Sequence, residues 1–200
     1  MRFRAVHSIS LFGALLFASS CHAQGQQSKD APAAAPATKL EAFSAKTGAV
    51  IIRGFTTVGA VNGMGSVSID AREFRDAGNP KLKVTGLSIE VKESGRLERE
   101  SISFVDYDEI DSLLQGIDYI SKIDQNITPM KNFEAEYKTK GDFSVTTFSS
   151  SRGGISVAVS SGKFGKVSAY LKISDLSQLR THIQNGKTAI DSAMQNAKQK

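Results

Sequence analysis

The sequence predicts an α+β protein built from two tandem β4α modules, and three observations carry that prediction. Four alternating, turn-bounded runs followed by an amphipathic stretch occur twice along the chain. The ends of the two sets also align without a gap: "SFVDYDEIDSLLQGI" lies over "AYLKISDLSQLRTHI", with Ile110 on Leu176 at an offset of 66 (176 minus 110). At that offset Phe104 meets Tyr170, Val105 meets Leu171, Tyr107 meets Ile173, Leu113 meets Leu179 and Ile117 meets Ile183. Finally, a chain of this length buries roughly two thirds of its unfolded surface, so a core can form without disulfides.

The first 23 residues read as an export signal. Arg2 and Arg4 supply the positive start, residues 9–18 a short apolar run, and Cys21, His22 and Ala23 a small-x-small site for cleavage before Gln24. The expected location is therefore periplasmic or secreted. The same segment offers a second reading, in which "ASSC" is a lipoprotein signal and Cys21 is lipidated, giving an anchored envelope protein. One acyl chain alone anchors only marginally. Membrane association is expected only under that reading.

Cleavage after Ala23 removes the one cysteine and two of the three histidines, leaving His182 as the only imidazole. Thiolate nucleophiles, disulfides and Cys/His zinc sites are thereby excluded from the mature chain, and no metal or other cofactor is expected. Residues 24–40, rich in Ala, Gln and Pro, read as a flexible linker.

The first module spans residues 41–130 and the second 131–200. In the first, strands are expected at about 48–61, 65–75, 81–92 and 96–106, then a helix at about 108–123. In the second, strands are expected at about 132–139, 142–149, 154–160 and 166–173, then a helix from 175 into the last ten residues. Asn62-Gly63, Ser94-Gly95, Gly141, Arg152-Gly153-Gly154 and Gly162 sit where strands must reverse. Asp106 with Glu109 suits a capping box on the first helix and Ser174 a cap on the second, while Asn185-Gly186 is a place for the second helix to end or bend.

This element order, four antiparallel strands and a helix repeated with pseudo-twofold symmetry, resembles in topology the Whirly and Pur-type single-stranded nucleic-acid binders. The resemblance is one of element order. It brings no functional residues with it.

Along the last two strands Ile155, Val157, Val159, Val167, Ala169 and Leu171 share one face. The other face is small and polar, with Phe148 and Tyr170 set into it, open to solvent, the other module or a ligand. Charge divides unevenly: residues 41–130 carry 10 basic and 14 acidic side chains, whereas 131–200 carry 11 and 5. That split fits pairing between the halves, pairing of two chains, or an anion-binding surface. The candidate ligand-binding residues are accordingly Phe148, Arg152, Lys163, Lys166, Tyr170 and Lys172.

No catalytic residue is assigned. Asp106, Asp108, Glu109 and Asp111 form the densest acidic cluster, but they sit at a helix start, where the dipole and capping favour acids. "GAVNGMG" at 59–65 lacks the Lys-Ser or Lys-Thr of a phosphate loop and reads as a hairpin turn. The leading expectation is a non-enzymatic exported binding protein whose ligand is a protein, a small molecule or an anion. Two alternatives stand beside it: a carboxylate hydrolase, which needs two acids converging about 5–9.5 Å apart, and a polyanion or single-stranded nucleic-acid binder, for which the net charge gives no strong signal. Exposed strand edges leave a homodimer open.

Overall fold

Alternation of apolar and polar residues gives each half of the chain one greasy sheet face, and burying both faces together fixes the architecture. The structure is a computed structural model, described here for residues 35–150 and 153–199. A short helix, α1 (Lys39–Ser44), precedes a meander of β1 (Ile51–Gly63), β2 (Gly65–Asp76), β3 (Lys83–Glu93) and β4 (Arg99–Asp106). A 3-10 turn at Tyr107–Glu109 leads into α2 (Ile110–Ile120). The second meander runs through β5 (Glu134–Lys138), β6 (Ser144–Ser149), β7 (Ile155–Ser161) and β8 (Val167–Leu171), and a 3-10 turn at Ile173–Asp175 starts α3 (Leu176–Lys198).

Both sheets are antiparallel with neighbours in chain order. The expected pair of β4α modules is therefore present. The offset of 66 holds for the helical segments residue by residue, since the two 3-10 turns begin at Tyr107 and Ile173 and the two helices at Ile110 and Leu176.

The helices are exchanged between modules. α3 packs on β1, β2 and β3, whereas α2 packs chiefly on β5 and β6, and the two helices touch each other. One core results, in which Val67, Ile69, Leu87, Ile89 and Val105 from the first sheet meet Val145, Val157, Val159, Ala169, Leu113, Ile117, Leu179 and Ile183. Where β4 faces β7, the buried hydroxyls of Ser103 and Ser161 lie 2.7 Å apart and Ser161 also donates to Ser101. Each of these buried hydroxyls thus has a partner, which removes most of the penalty of placing it there.

The exchange extends to the hairpin tips. Met64, between β1 and β2, forms an antiparallel bridge to Tyr170 on the edge of β8, with both N–H···O distances 2.9 Å. At the matched place, Gly141 between β5 and β6 abuts Phe104 on the edge of β4, so closely that a Cβ there would lie 2.0 Å from the Phe104 carbonyl oxygen. Phe104 and Tyr170 are again 66 apart (170 minus 104). Each tip thus guards the outer edge of the other sheet, which would otherwise be free to pair with another chain.

Helix–strand crossings show how the duplicated parts were fitted together. Gly116 of α2 faces Tyr137 of β5, where a Cβ would meet the ring at 2.3 Å; Gly59 of β1 faces His182 of α3, where a Cβ would meet the ring at 2.5 Å. His182 and Gly116 are matched at 66 (182 minus 116), and Tyr137 and Gly59 hold equal distances, four residues, from Gly141 and Gly63 at the tips. The large and small residues have changed places between strand and helix while the crossing stays filled.

Four expectations are corrected. Residues 38–40, assigned to the linker, instead open α1: Thr38 Oγ1 accepts from Glu41 N and the Glu41 carboxylate accepts from Thr38 N, a capping box. No side-chain cap forms at Asp106, whose carboxylate accepts from Lys39 N and Leu40 N. Ser174 lies within the 3-10 turn, and the turn is closed by Asp175, whose carboxylate accepts from Lys172 N. Lastly, α3 continues through Asn185-Gly186, because Gly186 lets the helix approach Leu87, whose Cδ2 would lie 2.7 Å from a Cβ.

Candidate functional site

The outer face of the second sheet carries the side chains that alternate away from the core. Cross-strand pairing sets Phe148 beside Ser156 and Ala158 beside Tyr170. Phe148, Ser156 and Tyr170, with Lys172 and Asp175 beyond β8 and with Asn62, Gly63 and Met64 of the first module's hairpin tip, line a cleft of about 720 Å3. Met64 is 71% exposed and Tyr170 48% exposed. The cleft therefore pairs an aromatic and thioether floor with one ammonium and one carboxylate at its rim, a combination suited to an apolar group with a polar or charged end.

The six sequence-predicted residues divide between two ends of this face. Phe148, Tyr170 and Lys172 come together in the cleft. Lys163 and Lys166 sit in the turn joining β7 to β8, at the far end of a strand about 17 Å long. There Lys163 lies 5.9 Å from the ring centre of Phe164, and Lys166 Nζ lies 3.3 Å from the Glu136 carboxylate. Burial raises the Glu136 pKa, but the hydrogen bond and charge of Lys166, with the nearby Ser144 hydroxyl and Lys138, outweigh it and hold the carboxyl below its usual range. Lys166 is consequently occupied. Arg152 and Cys21 lie outside the described residues.

Lys172, like Lys131, Lys140 and Lys163, lies outside the ion pairs of the second module. Arg180 and Lys187 of α3 pair with Asp118 and Asp111 of the first module, and Lys138 pairs with Asp142. Part of the opposite charge of the two halves is thus spent in joining them. Among the described residues, Lys172 Nζ has no carboxylate within salt-bridge distance.

The acidic cluster does not converge. Asp106 holds the first backbone N–H groups of α1, Asp108 pairs with Lys39 at 2.8 Å, Glu109 Oε1 accepts from Lys140 N at 2.9 Å, and Asp111 pairs with Lys187. The Asp108 carboxyl is held below its usual range chiefly by the Lys39 hydrogen bond. Each acid is already committed, Asp106 and Asp108 both to Lys39 and the other two to Lys140 and Lys187. His182 stacks on Gly59, and its Nε2 lies 3.4 Å from Gln178 Nε2, with no carboxylate among the described residues bonded to it to orient it as a base. Among the described residues, no group of three or more His, Asp or Glu is placed to hold a metal ion.

Two parts of the surface were not read from sequence. Asn62 and Met64 reach the cleft only because the hairpin tip crosses to β8, a non-local contact; an apolar Met at the centre of a Gly-flanked turn was the available sign. A smaller hollow of about 320 Å3 lies between β1, β2 and the end of α3, lined by Phe55, Arg72, Ala193 and Met194 among others. Its Arg72 stacks over Phe55 at 4.8 Å and hydrogen-bonds Ser88 and Asp70, so its charge is already satisfied. Comparison of the chain with protein-family models, with curated proteins and with solved structures finds no match.

Proposed function

We propose that the protein is an exported, non-enzymatic binding module that holds its partner in the cleft on the outer face of the second sheet. The observation that carries this reading is the cleft itself, where Tyr170 and Met64 are exposed beside a half-buried Phe148 with Lys172 at the rim. Partner binding by few, exposed, amphipathic aromatics is energetically economical, because a Tyr loses little freedom for the area it covers. The commitment of every clustered acid to a structural neighbour supports a binding role over carboxylate catalysis. The amino-terminal pattern around Arg2, Arg4 and residues 9–18 supports export.

A photo-crosslinking residue placed at Tyr170, compared with one at the similarly exposed Ile102 on the first sheet, tests the reading in cells of the native source. An adduct of defined mass at Tyr170 and not at Ile102 is expected. Equal labelling of both positions removes the reading, as does turnover in a hydrolase panel that is abolished by His182→Ala. The intact mass of the recovered protein decides its processing: a chain beginning at Gln24 fits soluble export, and a diacylated or triacylated chain beginning at Cys21 fits an anchored one.

A further inference from the structure

The pseudo-twofold symmetry of the two modules supplies an internal template for this cleft. On the outer face of the first sheet, the seat equivalent to it is filled by α1. Leu40 and Phe43 are buried there against Phe74, with Phe104 and Val84 alongside, and Gly86 lets Leu40 close down, since a Cβ on it would lie 2.7 Å from Leu40 Cδ1. Thr38 touches the Gly141 tip.

Strand register maps this seat onto the second module. Gly86 pairs with Asp106, Ser88 with Phe104 and Arg72 with Gly86 in the first sheet; Ala158 pairs with Tyr170 and Phe148 with Ser156 in the second. Phe104 therefore corresponds to Tyr170, Gly86 to Ser156, Arg72 to Phe148 and Asp106 to Lys172. The last pair is 66 apart (172 minus 106), the same offset as the helices. The hairpin tip that touches Thr38 corresponds to the tip that brings Met64 to the cleft rim.

One change separates the two seats in kind. Asp106 accepts from Lys39 N at 2.8 Å and Leu40 N at 3.2 Å, so the first seat binds the N-terminal, positive end of a short helix. At the same place the second seat offers the ammonium of Lys172. An ammonium repels that end and favours the carbonyl end of a helix, or a carboxylate.

Resting on the reading of the cleft as a binding site, we infer that its occupant is a short amphipathic segment at the C-terminus of a partner protein, seated as α1 is seated but running in the opposite direction. One apolar side chain takes the place of Leu40 over Ser156 and Tyr170, with Phe148 alongside, and the terminal carboxylate meets Lys172.

The test uses the full chain and a set of seven-residue helical peptides with Leu and Phe three positions apart near the C-terminus, each made with a free carboxylate and as the amide. Saturable binding with amide shifts at Tyr170 and Ser156 is expected, at least tenfold weaker in Tyr170→Ala and about fivefold weaker for the amide or in Lys172→Ala. The amide penalty should vanish in Lys172→Ala, a readout that loss of folding cannot mimic. Equal binding of acid and amide overturns the inference. So does absence of peptide binding, and if the Tyr170 crosslink nevertheless forms, the cleft stands as a binding site while the peptide class fails. Concentration-dependent dimerisation that Tyr170→Ala abolishes also overturns it, in favour of a second copy of this chain.

Discussion

The two modules have the same element order and opposite finishes, and the contrast shows which positions of a duplicated fold are free to diverge. In the first, a six-residue helix covers the outer sheet face and a carboxylate holds its start. In the second, the equivalent face is open and the equivalent position is a lysine. At the helix crossings the first sheet contributes glycine and receives histidine, whereas the second contributes tyrosine and receives glycine. Both crossings are filled by a ring against a glycine, and which element supplies the ring is what has changed.

The largest test of that contrast is to strip each outer face in turn. Leu40→Ala removes a fully buried side chain from beneath α1 and is expected to lower stability by about 2–5 kcal/mol, as for other large-to-small core changes. Tyr170→Ala, at the matched face but half exposed, is expected to cost under about 1 kcal/mol. Urea unfolding of both variants measures the difference. Equal losses would mean that the second face is as firmly covered as the first.

The crossings give the next test. Gly59→Ala forces a methyl into the His182 ring and should cost about 1–3 kcal/mol, with much of the loss recovered by His182→Ala in the same chain. Gly116→Ala meets the Tyr137 ring in the same way, yet a helical Gly→Ala change gains about 1 kcal/mol from propensity, so its net loss should be the smaller of the two. Additivity in the Gly59–His182 double variant would show that the ring contact is not what the glycine serves.

How much of this was legible follows from how local each signal is. Strand alternation, the turns and the apolar stripes of α2 and α3 are written within a few residues, and the offset of 66 survives because the strand-to-helix junction has no insertions. The helix exchange and the crossing of the hairpin tips depend on contacts between distant segments, so no period reveals them. α1 was missed for a different reason: six residues are too few to show a helical period, although the Thr38–Glu41 capping-box spacing was present. Phe148, Tyr170 and Lys172 meet in one cleft because strand periodicity, which the sequence shows, fixes their face. Lys163 and Lys166 were grouped with them because charge counts ignore which end of a strand a residue occupies.

Replacing the carboxylate that marks the first seat is the third test. Asp106→Asn keeps the shape but weakens the acceptor for Lys39 N and Leu40 N, and about 1–3 kcal/mol is expected. Hydrogen exchange should speed at those two amides first. Lys172→Asn, the matched change, should leave stability within about 0.5 kcal/mol.

The smallest effect lies in the contact between the exchanged helices. Arg180 Nε lies 2.6 Å from Asp118, and this hydrogen bond is the main reason that the Asp118 carboxyl titrates below its ordinary value of 3.8, against a smaller opposing effect of burial. A depressed carboxyl contributes stability that is fully present above its unfolded value and fades as pH falls through the folded one. The loss caused by Arg180→Ala should therefore be constant from neutral pH down to about 4 and shrink at lower pH. Both partners are substantially exposed, so solvent keeps the loss below that of Asp106→Asn. A variant-to-wild-type difference that instead grows on acidification would show that Asp118 is not the group through which Arg180 ties α3 to α2.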